Sequence, residues 1–549
     1  MVTSDPDFDL PDLLHPAAPA RQARVDTPDV KRAMAFAFAT GVSGGLFADA
    51  LEKRKRTPST WVPSAFVNDL FVADFVAHCM QPRGDELLVS AQHLVNLLAS
   101  PPTDPVVVDH RRAILAELAA SPALRKEMER VYAALRKFRS LLEGVSGVGK
   151  WDTNRRQLDI LVAVKETIDA LAEGFYSSKS PLAQLGKFGA KIRATEPYQS
   201  LADLLRYDES SATLDLRVKV GADGRIRKLE VSAIAEDEKN PFVSSPLRRA
   251  LARIELFFRG FKVSEGEVMA RLIDAVFEGL QDVALSFVPL LGDCEFYLGA
   301  LAFADLAQAS GLDVSLPEMV STNEPRVLIG LFNPLLLAHR IKPVPCDITL
   351  DRHDVTVLVT GPNSGGKTRL LQSLGLAQIL AQAGLFVPAR VATITAVPGM
   401  VVSLLEETKV DQREGRLGTE LVRIRELFEA LPSGAMVILD ELCSGTNPSE
   451  GEEIFELVVS MLTKLEPQVF ITTHFLELAA RLDREKKQDD LRFLQVDLGA
   501  DQEPTYQFVP GVARTSLARQ AAERLGVTRE HLLALIDRKP TRTTHTEKI

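Results

Sequence analysis

The sequence predicts a mixed fold: an α-helical domain carrying a small β-hairpin insertion, followed by an α/β domain built round a Gly-rich loop. Three observations predict it. From about Thr60 to Arg206 apolar residues recur three and four apart with charges between them, the pattern of amphipathic helices. At "ATLDLRVKV" the period changes to two, with Leu214, Leu216, Val218 and Val220 on one face and Asp215, Arg217 and Lys219 on the other. After about Pro317 short apolar runs alternate with helical patterns, and one run ends in the Gly-rich "GPNSGGKT".

Taken in order, the elements support that reading. The opening "MVTSDPDFDLPDLLHP" is acidic and Pro-rich, which predicts flexibility, and it carries no signal-peptide pattern. "AMAFAFATGVSGGLFADAL", Ala33 to Leu51, raises the question of a membrane helix. The run is short, contains Asp49 and is rich in Ala and Gly, whereas a spanning helix needs about 20 strongly apolar residues, so no membrane contact is expected. In "DHRRAILAELAASPALRKEMERVYAALRKFRSLLEG", Ser121-Pro122 divides two helices, with Ser121 as N-cap and Pro122 at the first helical position. "GADG" is a turn signal and "RIRKLEVSAI" the returning strand of a hairpin. Helices resume at "PLRRALARIELFFRGF" and in a long run from Gly266 that is almost free of breakers until Pro289. "VTVLVT", "AMVILD" and "QVFITT" are candidates for buried parallel strands. The expected organisation is a flexible segment over 1–58, a helical domain over 59–315 with an insert near 207–240, the α/β domain over 316–535, and a disordered tail over 536–549.

Composition bounds the chemistry. The chain has 549 residues and is 46% hydrophobic and 25% charged, ordinary globular values, with a formal net charge of −10. It is no polycation, so nucleic acid would have to be held by a local basic patch or by closure around the strand. Cys79, Cys294, Cys346 and Cys443 lie far apart with no CxxC pair, which points away from a zinc site or disulfide framework and towards a reducing cytoplasm.

"GPNSGGKT", Gly361 to Thr368, fits G-x-x-x-x-G-K-[ST], the P-loop (Walker A) pattern. Glycines let backbone N–H groups approach phosphate oxygens, and the N-terminus of the following helix adds its dipole. Lys367 would reach the β- and γ-phosphates, and the Thr368 hydroxyl would bind Mg²⁺. The candidate nucleotide-binding set is Gly361, Pro362, Asn363, Ser364, Gly365, Gly366, Lys367, Thr368 and Arg369. "MVILDEL" supplies the acids: Asp440 for the Mg²⁺ shell, Glu441 to orient and deprotonate the attacking water. "QVFITTH" ends at His474, placed to contact a γ-phosphate. The order of loop, acidic strand and His strand suits an ABC-type ATPase, whose site is completed by a second subunit. No "LSGGQ" lies between Lys367 and Asp440, which argues against transporters and the chromosome-condensing SMC group.

"TGPNSGGKT", "LDELCSGTNPSEG", "ITTHFLELAARL" and "YQFVPGVARTSLARQAAERLGV" resemble the successive motifs of the MutS DNA mismatch-repair ATPases. "AQAGLFVPA", and more weakly stretches upstream from about Thr60, are similar to that family too. The resemblance implies a core/lever character for the helical part. It also implies a homodimer pairing through the ATPase domains, ATP and Mg²⁺ as ligands, DNA as partner, and Asn363 and His474 directed at the γ-phosphate. Three departures qualify what it implies. Only residues 1–58 precede the core-like helices, so no mismatch-reading domain with a Phe-x-Glu wedge is expected. The clamp-like insert is short; its hairpin carries Arg217, Lys219, Arg225, Arg227 and Lys228, which fits phosphate contacts or simply a solvated ribbon. In "EGRLGTELVRI" the family's trans-acting Ser is replaced by Gly415 or Leu417, with Thr419 as a substitute. The expected function is an ATP-dependent DNA-binding ATPase of mismatch repair or a related repair or recombination process. The alternative is a slow or non-hydrolysing, ATP-dependent dimerisation switch that does not recognise mismatches.

Overall fold

A computed structural model describes residues 10–16, 27–41, 43–55, 58–82, 88–144, 153–209, 214–220, 226–234, 265–404, 415–443, 447–485, 489–514 and 527–537. The chain divides into two compact units. One comprises 1–59, 72–311 and 379–386; the other comprises 60–71, 312–378 and 387–549.

The first unit is helical: α1 (Thr27–Thr40), α2 (Leu46–Glu52), α3 (Val72–Cys79), α4 (Ala91–Leu98), α5 (Pro105–Ala120), α6 (Pro122–Leu142), α7 (Thr153–Gly174), α8 (Ala183–Arg193) and α9 (Glu196–Glu209). The two-stranded ribbon β1 (Leu214–Val220) and β2 (Ile226–Ile234) follows, and then α10 (Glu265–Ala309). Ser121 caps α6, its hydroxyl accepting the Leu124 N–H at 3.3 Å, with Pro122 at the first helical position. Helix α6 buries Leu124, Met128, Val131, Leu135, Phe138 and Leu142 at helical spacing, which is why it packs on α7 and α10. Pro289 lies inside the 45-residue α10 without ending it. Residues 270–309 are long and apolar enough to cross a membrane, but 94% of their most apolar window is buried inside the protein. Strands β1 and β2 are antiparallel, with Val218 opposite Leu229. The side chains of the ribbon's basic residues, and the expected helix over 246–261, lie outside the described residues.

Within the expected flexible segment over 1–58, the described residues 10–16, 27–41 and 43–55 depart from that expectation. The Ala33–Leu51 run is not one helix; α1 and α2 are separate, with Gly45 (φ 92°) before α2. Met34, Phe38, Phe47 and Leu51 are buried. Upstream, Leu10, Leu13 and Leu14 are buried as well. The Tyr297 hydroxyl donates to the Leu13 carbonyl at 2.5 Å and Arg111 Nε donates to the Leu14 carbonyl at 2.9 Å. Arg54 pairs with Asp293 at 2.5 Å and Asp12 at 3.6 Å. Prolines and acids signalled disorder, yet three leucines and a paired aspartate give this segment enough to bury.

The second unit is α/β. It runs β3 (Glu318–Val320), β4 (Arg326–Leu331), α11 (Pro334–Ala338), β5 (Cys346–Leu350), β6 (Thr356–Thr360), α12 (Lys367–Ala383), β7 (Val391–Thr395), β8 (Met400–Ser403) and α13 (Gly415–Ala430). It continues through β9 (Met436–Leu439), α14 (Pro448–Leu462), β10 (Gln468–Thr472), α15 (Leu476–Glu485), β11 (Leu491–Leu498), β12 (Pro504–Pro510) and α16 (Arg529–Asp537). The larger sheet has the order β12-β11-β6-β10-β9-β8; only β12 is antiparallel to its neighbour. The smaller has the order β3-β7-β4-β5. The apolar runs at 355–360, 435–440 and 468–473 are the buried strands β6, β9 and β10, adjacent and parallel. Parallel strands covered on both faces need continuous apolar runs, and these have them. Helix α16 extends into the residues expected to begin a disordered tail.

Candidate nucleotide site

In a parallel sheet, ligands bind beyond the carboxyl ends of the strands. Here three neighbouring strand ends carry the candidate residues: 361–368 follow β6, His474 follows β10, and Asp440 and Glu441 follow β9.

The loop is held by close packing. A Cβ built on Gly361 (φ 139°) would lie 2.6 Å from Val496 Cγ2, and one on Gly365 would lie 2.7 Å from the same methyl. Strand β11 thus lies against the loop so closely that side chains are excluded at both positions. Gly366 (φ 85°) is overlain by the Tyr506 ring, whose Cδ1 stands 3.2 Å from a built Cβ. Tyr506 has a left-handed backbone (φ 59°) and its side chain is half-exposed.

Lys367 begins α12 and is buried. Its ammonium donates to the carbonyls of Gly361 at 3.0 Å and Pro362 at 3.2 Å, and to Asn363 Oδ1 at 3.4 Å. Burial pulls its pKa below the ordinary lysine value, and the charges of Glu441 and Asp440 oppose that pull. Glu441 Oε1 stands 4.0 Å from the ammonium. Thr368, directly after, donates its hydroxyl to Asp440 Oδ2 at 2.5 Å. Asn363, Ser364, Thr368 and Arg369 are exposed; Pro362 is buried. Arg369 turns along its own helix to Gln372 Oε1 at 2.8 Å.

The acids sit on a clamped strand end. The Asp440 N–H donates to the Ser403 carbonyl of β8 at 2.9 Å. On the other side, the buried Thr472 hydroxyl of β10 donates to Asp440 Oδ1 and accepts the Glu441 N–H at 2.8 Å. Glu441 (φ 49°) and Cys443 (φ 63°) both have left-handed backbone, unusual for residues with a Cβ. His474 is exposed and its ring lies 4.5 Å from that of Phe475.

The structure therefore brings Lys367, Thr368, Asp440 and Glu441 within direct reach of one another and places His474 at the adjacent strand end. Sequence reading missed Thr472, Val496 and Tyr506. Thr472 stands inside "ITTH", where the pattern offered a signal; Val496 and Tyr506 lie in strands whose alternation says nothing about a distant loop. The side chains of Gly415, Leu417 and Thr419, and residues 444–446 of "CSGTNPSEG", lie outside the described residues.

Residues 357–534 match the family model of MutS domain V. The chain is 29% identical over 283 residues to the Endonuclease MutS2 of Streptococcus thermophilus, which covers 51% of this chain and 35% of that protein. To the Endonuclease MutS2 of Thermus thermophilus it is 35% identical over 242 residues, covering 43% of this chain and 31% of the relative. To that of Symbiobacterium thermophilum it is 32% identical over 243 residues, covering 42% and 29%. The chain spans about a third of the length of these curated relatives. The motifs at the three strand ends, the match to domain V and the run of similar relatives agree: over its C-terminal part the chain is similar to proteins of the MutS family.

Proposed function

We propose that this chain is an ATPase that binds ATP and Mg²⁺ at the ends of β6, β9 and β10 and uses nucleotide state to control its hold on DNA. The observation that carries the reading is the meeting of Thr368 with Asp440 at 2.5 Å beside the Lys367–Glu441 pair at 4.0 Å. A hydroxyl and a carboxylate oxygen on adjoining elements are the hard oxygen donors Mg²⁺ takes, usually alongside substrate phosphates and water. Thr368 and Asp440 would hold it, and bound there it would neutralise charge building on the phosphates.

The protein's own residues do the rest. Backbone N–H groups of 361–368 and the N-terminus of α12 receive phosphate oxygens. Among the described residues the nearest acid to Lys367 is Glu441 at 4.0 Å, so the lysine's charge is available to a phosphate. Glu441 orients a water and accepts its proton. Asn363 and His474 face the γ-phosphate, so the contacts that distinguish ATP from ADP arise there. Tyr506 walls the loop at Gly366. The ABC-type arrangement, homodimerisation through this unit, a cytoplasmic location and service in mismatch repair or a related repair or recombination process follow from the family resemblance. The relatives are named endonucleases; the residues described in this chain support nucleotide hydrolysis.

Steady-state ATP hydrolysis by the chain and by Glu441→Gln tests the enzyme. The expected result is Mg²⁺-dependent turnover that Glu441→Gln lowers by about 100-fold or more; an unchanged rate removes Glu441 as base. Binding to homoduplex, mismatched and four-way DNA over a salt series, with and without ATP, tests the partner. Affinity no better than non-specific for every DNA sinks that part of the reading. A second reading, a slow or non-hydrolysing dimerisation switch, is favoured by Gly415 or Leu417, depending on alignment, standing where the family has its trans-acting Ser. ATP-dependent dimerisation without turnover is its signature.

A further inference from the structure

We propose that Thr472 is a positioning residue of the hydrolytic site: its single hydroxyl sets both the carboxylate of Asp440 and the backbone that carries Glu441. The proposal rests on the ATPase reading and names a residue which that reading does not use.

Strand β10 is apolar and fully buried from Val469 to Ile471, and a further β-branched apolar residue would suit the next position. Thr472 stands there instead, fully buried. A buried hydroxyl is costly unless its donor and acceptor are used. Both are used here, and both on the acidic strand end. The O–H donates to Asp440 Oδ1, and a lone pair accepts the Glu441 N–H at 2.8 Å. The other Asp440 oxygen takes the Thr368 hydroxyl at 2.5 Å, so the carboxylate plane is fixed from two sides. The Glu441 N–H reaches Thr472 from a left-handed backbone (φ 49°). One hydroxyl thus holds Asp440 in orientation and keeps in place the turn from which the Glu441 side chain projects.

Strand β6 supplies a comparison. Its last residue, Thr360, is also fully buried, and its hydroxyl is also used twice: it donates to the Leu494 carbonyl at 3.3 Å and accepts the Ala513 N–H at 2.9 Å. Thr360 therefore ties backbone to backbone. Thr472, the last residue of the neighbouring strand and paired there with Val359, touches the side chain of one candidate site residue and the backbone of the next. Loss of the hydroxyl should cost stability at both positions and chemistry only at 472.

The test compares Thr472→Val, which keeps the shape and removes the hydroxyl, Thr472→Ser, which restores it, and Thr360→Val as the structural comparison, all in the full chain. Two readouts are taken. Hydrogen–deuterium exchange without added nucleotide follows the Glu441 amide; in Thr472→Val it should exchange about tenfold faster while the amides of β9 and β10 stay protected, and Thr472→Ser should resemble the parent. Kinetics should show Thr472→Val lowering kcat by about 10- to 100-fold with ATP KM within about threefold, and Thr472→Ser recovering most of kcat. Parent-like exchange and kcat in Thr472→Val overturn the proposal. So does Thr472→Ser failing as badly as Thr472→Val, or Thr360→Val matching the kcat loss of Thr472→Val. If the parent chain shows no Glu441-dependent turnover, the ATPase reading falls, and the exchange result then decides by itself whether Thr472 sets the Glu441 backbone.

Discussion

Alanine at Gly365 would place its Cβ 2.7 Å from Val496 Cγ2, 3.0 Å from Val496 Cγ1 and 3.0 Å from the Pro362 carbonyl oxygen. The backbone there is not left-handed, so the cost is steric. Overpacking of this kind costs about 1–3 kcal/mol. Two of the three contacts are methyls of one side chain, so Val496→Ala should relieve most of it. Alone, Val496→Ala removes two methyls from a side chain only 3% exposed, at about 1–2.5 kcal/mol. In the double variant the new Cβ occupies space the methyls leave. The destabilisations should then fall short of additive by about 1–2 kcal/mol, the remainder being the Pro362 contact that stays. Urea unfolding of the four proteins measures this. Affinity for a fluorescent ATP analogue should follow the same order, weakest in Gly365→Ala and partly restored in the double variant. Additivity within about 0.5 kcal/mol would refute the claim that Val496 shapes the loop.

Other outcomes are expected from single side chains. Lys367→Met should weaken ATP binding by about 100-fold through loss of charge-assisted contacts, read by the same fluorescence titration. Asp293→Asn leaves buried Arg54 without its nearest carboxylate, 2.5 Å away, and should destabilise the helical unit by about 3 kcal/mol in chemical unfolding. Leu13→Ala, at a side chain with no exposure, should cost about 2–5 kcal/mol, whereas a truly flexible N-terminal segment would show no effect. Glu117 accepts the Lys179 and Ser180 N–H groups and the Ser178 hydroxyl, and these bonds hold its pKa down to about 2 against burial. A lowered folded pKa gives stability that is present above the ordinary carboxylate value and lost as pH falls towards 2. The advantage of the parent over Glu117→Gln, about 1 kcal/mol near neutrality after allowing for solvent screening, should therefore vanish on acidification.

What the sequence made legible was whatever sits on consecutive residues. The alternation of 214–231 produced the hairpin β1–β2, and Ser121-Pro122 marked the start of α6 because a cap is a local device. "GPNSGGKT", "LDEL" and "TTH" gave the loop, the acids and the His because each follows an apolar strand, and parallel order brings those three ends together. Contacts between distant residues left no local trace. Val496 limits Gly361 and Gly365 from more than 130 positions away, and Asp12 finds Arg54 and Asp293 only after the helices have packed. The N-terminal error has the same source: composition reports the average tendency of a segment, whereas docking depends on whether a few leucines meet a groove.

The geometry at the end of β9 shows how the site offsets its own strain. Left-handed backbone at Glu441 and Cys443 costs about 1–2 kcal/mol at each residue. Such strain persists only where the surroundings over-determine it. Here they do: Cys443 is buried in the cluster that contains Phe455 and Phe475, Asp440 is tied to β8 through its N–H, and Glu441 is tied to β10 through Thr472. The backbone of both acids is thus tied to the flanking strands, and the Asp440 carboxylate is fixed as well, by the Thr472 and Thr368 hydroxyls; a fixed anion needs little reorganisation when charge develops nearby. Lys367 is held differently, by two carbonyls and an amide oxygen, all uncharged. A phosphate oxygen competes well with such acceptors because a charge-assisted bond is the stronger. The acids are therefore the rigid half of the site and the lysine the exchangeable half, and the ATP-dependent response should be sought first in exchange and proteolysis of 361–368 rather than of 436–443.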